Sequence, residues 1–233
     1  MNAFTRKNIA KTTVGIVAAG ALAFSLAACS MNSDSTSGSG SSSSASSEPS
    51  AAATPLASLP DLSKGVDTQV AVDASFVDAL TTLGLTPGVV GNATFANGTF
   101  SFPITGGNVD YYDPSGSVRP YVQGDIKHDN SGLSLTAGDT KVELTNFDID
   151  PGASKLYGDV IVNGQTAASH AYLFNLWGGS LKPLQMEGDN AVLEGTTVHI
   201  SSDAAGLLNQ TFKTDAVKAE MLVGVAKITV ATK

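Results

Sequence analysis

The sequence predicts an all-β domain, a β-sandwich or partly open barrel of about ten strands with two short helices. Three observations predict it. Apolar and polar residues alternate with a period of two in most runs beyond the first quarter of the chain. Asn-Gly, the strongest short hairpin signal, falls between strand-like runs at Asn97-Gly98 and again at Asn163-Gly164. The links between runs are short and rich in turn-forming residues, as antiparallel sheets require.

Taken in chain order, Asp67–Val72 is the first strand. Asp73 then caps a helix that carries Phe76, Val77, Leu80 and Leu83 on one side and stops at Gly84. Ala93–Ala96 and Thr99–Ile104 flank the first Asn-Gly, and Phe100, Phe102 and Ile104 share one face. Tyr121–Lys127 and Gly132–Thr136 read as two strands joined by an Asp129-Asn130-Ser131-Gly132 turn. Within Lys141–Asp150 the apolar parity switches, from Val142 and Leu144 to Phe147 and Ile149. A one-residue offset of that kind predicts a β-bulge near Thr145-Asn146. Asp159–Val162 leads into the second Asn-Gly, followed by Ala171–Trp177, Ala191–Leu193 and Thr196–Ser201. Ser201 or Ser202 caps a second helix whose Ala204, Leu208 and Phe212 lie four residues apart. Val223–Ala231 is the last strand.

The chain before this domain has a different composition. Arg6, Lys7 and Lys11 precede an uncharged apolar run from Thr12 to Ala28, the layout of an export signal. The run is about 17 residues long, marginal for a membrane span. It ends in Leu26-Ala27-Ala28-Cys29, which resembles the lipobox of bacterial lipoproteins. That resemblance implies cleavage before Cys29 and a diacylglyceryl thioether on its sulfur, anchoring the chain to the extracytoplasmic face of the cell membrane. Two acyl chains satisfy the two-signal requirement for stable anchoring, each buried methylene contributing about 0.8 kcal/mol. Cys29 is the only cysteine, so no disulfide forms within the chain. From Ser30 to about Pro60 the chain is rich in Ser, Ala, Gly and Thr, a composition that cannot bury enough apolar surface to offset its ordering entropy. The expected organisation is therefore a signal peptide over 1–28, a lipidated cysteine and disordered tether over 29–60, and one β-rich domain over 61–233.

Charge narrows the partners. All 21 acidic residues follow Cys29, against 10 basic ones, so the mature chain carries −11. Such a surface repels phosphate backbones, which argues against nucleic acid as a partner.

Catalysis finds little support. Lipidation removes the only thiol, and no Gly-x-Ser-x-Gly elbow, His-Glu-x-x-His pair or phosphate-cradling Gly-rich loop is present. His199 alternates with Val198 and Ile200 and should face outward; His170 falls in an expected loop; His128 ends the Gly124–His128 run. Asp110, Asp113 and Ser115 crowd one segment and Asp125, Asp129 and Asn130 another. Calcium favours such oxygens, but neither segment has EF-hand spacing and both are rich in ordinary turn formers, so no metal site is assigned.

One longer pattern stands out. Val118-Arg119-Pro120-Tyr121-Val122 precedes Gly124-Asp125-Ile126-Lys127-His128, and Leu133 and Leu135 alternate after it. A strand ending near Leu176 and the Leu193–Ile200 run into the second helix follow. This layout resembles the haem-transport-associated (HtaA-like) domain of actinobacterial haem-uptake proteins. The resemblance implies haem as a cofactor, with Tyr121 as the iron ligand and His128 supporting it. Tyr111, Tyr112 and Tyr121 also concentrate three of the five tyrosines locally, either as cross-strand packing or as part of a ligand site. The expected function is a non-enzymatic, membrane-anchored envelope lipoprotein whose domain binds a small molecule or protein at the cell surface. The alternatives are a haem-binding surface protein and a structural or adhesive module.

Overall fold

The computed structural model describes residues 53–233. The signal segment, Cys29 and most of the expected tether lie outside the described residues.

The described residues form thirteen strands and two α-helices. The first part holds β1 (Ala57–Leu59), β2 (Asp67–Val72), α1 (Ala74–Thr82), β3 (Thr86–Gly91), β4 (Thr94–Ala96), β5 (Thr99–Pro103) and β6 (Gly106–Tyr111). The middle holds the long strands β7 (Val122–Ala137), β8 (Thr140–Asp150), β9 (Lys155–Val162) and β10 (Gln165–Trp177). After a short 3-10 turn at Gly178–Ser180 come β11 (Gln185–Glu187), β12 (Asn190–Ile200), α2 (Ser202–Phe212) and β13 (Leu222–Ala231).

All strands belong to one antiparallel sheet in the order β1-β6-β7-β8-β9-β10-β12-β13-β2-β5-β4, with β3 added to β7 and β11 to β12. The sheet curls into a half-barrel. Its path begins at β1 and ends at β4.

Local chemistry accounts for the turns. Asn97 and Gly98 both take positive φ (51° and 75°), as do Asn163 and Gly164 (50° and 80°). Two left-handed residues in succession match the right-handed twist of the flanking strands. The predicted bulge is present: the β7–β8 register shifts between His128 and Gly132, and the β8–β9 register between Thr145 and Asp148. Asn130 and Asn146 sit there with φ of 53° and 52°, and the Asn130 N–H donates to Asn146 Oδ1 at 2.9 Å. The offset keeps Val142, Leu144, Phe147 and Ile149 all buried.

This corner also revises the sequence reading. The segments expected as two strands around a turn are one strand, β7, which changes partner across the bulge. Its first half pairs with β6 and its second half with β3, while β8 follows both. Gly91 permits the crossing: its φ is +60° and an added Cβ would lie 1.8 Å from the Asn130 carbonyl oxygen. The Ala191–Leu193 and Thr196–Ser201 segments are likewise one strand, β12. The folded chain also starts earlier than expected, because Ala57–Leu59, within the stretch assigned to the tether, pairs with Val109–Tyr111 of β6. β3, β6 and β11 escaped the sequence reading as well, which accounts for thirteen strands rather than about ten.

Both helices form where expected. Asp73 accepts from the Ser75 N–H at 2.9 Å to start α1. Ser201 Oγ accepts from the Ala204 N–H at 3.0 Å to start α2, and donates to the Tyr172 carbonyl at 2.7 Å. Leu80, Leu85, Leu135, Leu208 and Val217 gather with Ile200 and Met221 beneath the helices. Ile200 and Met221 mark one end of the sheet's inner face.

Candidate functional site: an apolar cavity in the half-barrel

The inner surface of the curled sheet encloses a cavity of about 360 Å³. Period-two geometry builds it, since every second residue of a strand points inward. Phe100 and Phe102 come from β5, Ile126 and His128 from β7, Phe147 and Ile149 from β8, Phe174 from β10, Val198 from β12, and Val223, Ala226 and Val230 from β13. Aromatic edges lock part of this wall: Phe102 meets Phe147 edge-on at 5.2 Å, and Phe147 meets Phe174 at 6.4 Å. At the rim the wall residues become exposed, at Ala57 and Ser58 of β1, Arg119 of the β6–β7 loop, and Gly178.

His128 lies at depth, 1% exposed. The Phe147 carbonyl can only accept, so His128 Nδ1–H donates to it at 3.2 Å. Nε2 then carries the lone pair and accepts from the Thr68 hydroxyl at 2.8 Å. Burial pushes the imidazole pKa down to about 4, against the opposing hydrogen bond to Phe147 and the charges of Asp129 and Asp67. The ring is thus neutral at physiological pH and satisfied on both nitrogens. The sequence placed it at a strand end before a turn; the structure places it inside β7, on the cavity wall.

Tyr121 is half-buried nearer the rim, its ring edge-on to Tyr111 at 5.7 Å. The Tyr112 N–H donates to the Tyr121 carbonyl at 2.7 Å, and Tyr111 and Tyr121, but not Tyr112, line the cavity. Burial raises the Tyr121 phenol pKa, as does nearby Tyr111, while Arg119 lowers it. Among the described residues its hydroxyl has no hydrogen-bond partner. Tyr121 and His128 therefore line one cavity, and no hydrogen bond joins them.

No family model matches the chain, and no curated protein does. Solved structures do. The chain is similar to the C-terminal domain of HtaA from Corynebacterium glutamicum, with 16% identity over 75% of this chain and 98% of that one and a TM-score of 0.49. It is also similar to the heme binding protein HtaB of the same organism, with 10% identity over 75% of this chain and 96% of that one and a TM-score of 0.44.

The remaining sequence candidates lie elsewhere. His170 is in β10 rather than a loop, at φ 48°, stacked on Tyr157 with ring centroids 4.6 Å apart. His199 faces outward as expected, with Nδ1 at 3.0 Å from the Glu220 carbonyl and Nε2 at 3.0 Å from the Thr197 hydroxyl. The His170 backbone N–H donates to Asp159 Oδ1 at 2.9 Å, and among the described residues no histidine ring nitrogen hydrogen-bonds a carboxylate, the contact that orients the base of a Ser-His-Asp triad. The Asp113 carboxylate accepts from the Ser115 N–H and hydroxyl at 2.8 and 2.7 Å, an ordinary turn. Among the described residues no group of three His, Cys, Asp or Glu converges as a metal site.

Proposed function

We propose that this chain is a non-enzymatic, membrane-tethered envelope lipoprotein whose half-barrel holds an apolar small molecule. The observation that carries the reading is the cavity. Its volume of about 360 Å³ falls within the roughly 300–1,000 Å³ of small-molecule sites. Its walls are almost wholly aliphatic and aromatic, with a few polar groups, and its inner polar pair, His128 and Thr68, already satisfies itself. An apolar guest displaces poorly bound water without stranding a polar group of the wall.

Native mass spectrometry of the full chain purified from membranes tests this. A co-purifying apolar mass is expected, absent in Ala226→Phe, which fills the cavity from β13. An empty wild-type protein that also ignores apolar fluorescent probes would overturn it. The anchor is tested separately, because Cys29→Ser should release the precursor from the membrane fraction.

Tyr121 favours haem as a specific form of this guest. A phenol without a hydrogen-bond partner on an apolar wall is a fitting ligand for ferric iron, and bound haem would supply the iron's colour and redox chemistry there. Tyr121 would hold the metal, Phe102 and Ile149 would shield the ring from water, and His128 would keep the wall neutral. Haemin titration should give a Soret band that Tyr121→Phe abolishes; an unchanged spectrum would remove the haem form and leave the apolar-guest reading standing.

A further inference from the structure

Arg119 is the only arginine beyond the signal segment. It stands on the cavity rim and is the one charged side chain on the wall among the described residues. Five ion pairs form among the described residues, and lysine supplies the cation in every one. Among the described residues Arg119 forms no ion pair, nor do Lys64, Lys155, Lys213 and Lys218, but Arg119 alone of these stands on the cavity wall. Its guanidinium is instead held by two backbone carbonyls of its own loop, Nη1 donating to Val118 at 2.7 Å and Nη2 to Pro114 at 2.9 Å. A guanidinium has five N–H donors, so three remain.

The acids nearest the rim are turned away or engaged. Asp110 lies between Val109 and Tyr111 on β6, both of which line the cavity, so strand alternation sends it to the opposite face. Asp113 accepts twice from Ser115 on Oδ1, and the Arg119 charge helps to hold its carboxyl pKa down, but the two form no ion pair. Asp150 accepts from the Ala153 N–H at 2.8 Å, holding the β8–β9 turn. The mouth thus presents one unpaired, pre-positioned fork of donors above an apolar chamber.

We infer that Arg119 receives the anionic head of an amphiphile whose apolar body fills the cavity, the head being a carboxylate or a phosphate. The inference rests on the proposed function and specifies the ligand class. Both heads match the guanidinium fork, and its two carbonyl contacts reduce the side-chain entropy lost when a ligand docks. A neutral apolar molecule gains nothing from this group.

The test compares dodecanoate, dodecyl phosphate and 1-dodecanol by calorimetry on the full mature chain. Haemin and its dimethyl ester form a second, aromatic acid–neutral pair. The anionic member should bind about tenfold more tightly, the scale of one charge-assisted hydrogen bond, and the tighter of the two dodecyl anions identifies the head. R119Q should bring the anions down to the affinity of the neutral probe, while R119K, which keeps the charge, should retain part of the preference. Equal binding of acid and neutral members would overturn the inference and leave the cavity reading intact, as would an anion preference that survives in R119Q. Failure of every probe to bind would overturn the cavity reading itself.

Discussion

His128 shows how one buried residue couples the fold to pH. Its pKa of about 4 in the folded protein lies below the ordinary 6.5, so the unfolded chain binds its proton more readily. The stability this adds is complete above pH 6.5 and is lost as pH falls from 6.5 toward 4. A shift of that size corresponds to about 3 kcal/mol. Urea denaturation of the wild type and His128→Gln at pH 7.5 and pH 4 should therefore show the wild type losing about 3 kcal/mol more than the variant. Parallel losses would mean that the ring is hydrated. Ser201 is a second single-residue support, fully buried and serving both as the cap of α2 and as donor to Tyr172. Ser201→Ala should cost about 2 kcal/mol, since a cap and a buried carbonyl's partner disappear together. The cap was legible from its serine and the spacing behind it. The bond to Tyr172, across 29 residues, was not.

Among the elements, the hairpins and the β8 bulge could be read because their causes are local. Asn-Gly supplies positive φ wherever it occurs, and a parity switch implies an extra residue. The β7 corner could not be read in this way. Asp129-Asn130-Ser131-Gly132 has turn composition, but Asn92 N–H, just after β3, and Asn146 Oδ1 of β8 satisfy the backbone of Asn130, so the strand continues across the bulge. Two glycines separate these cases. Gly98 has φ +75° and open space around its Cβ position, so Gly98→Ala should cost about 1 kcal/mol through backbone strain alone. Gly91→Ala meets the Asn130 carbonyl as well and should cost several times more. Thermal melts of the two variants check the difference, and similar melting temperatures would show that the corner yields easily.

At the scale of the whole molecule, the helices cover one end of the inner face and leave the remainder as a chamber. A guest that binds only the folded state at about 100 times its dissociation constant adds about 2.7 kcal/mol. For a domain of this size that raises Tm by about 5–10 °C. Dodecanoate should produce such a shift in the wild type and a much smaller one in Ala226→Phe. An equal shift in both would place the ligand outside the half-barrel. β1 bears on the same point: it is three residues long, lies at the sheet edge, and lines the rim. Its composition could not be told from the tether, because only pairing with Val109–Tyr111 makes it a strand.

Sequence by itself determined the all-β class, both helices with their caps, the two Asn-Gly hairpins and the β8 bulge, since each rests on residues within a few positions of one another. The resemblance to the haem-transport-associated domain pointed to Tyr121 and His128, which both line the cavity. Tertiary structure alone decided that β7 and β12 run unbroken, that the sheet curls around a chamber, that Thr68 faces His128, and that Arg119 stands unpaired at the rim. Those outcomes depend on contacts between residues tens of positions apart, where neither periodicity nor composition carries a signal.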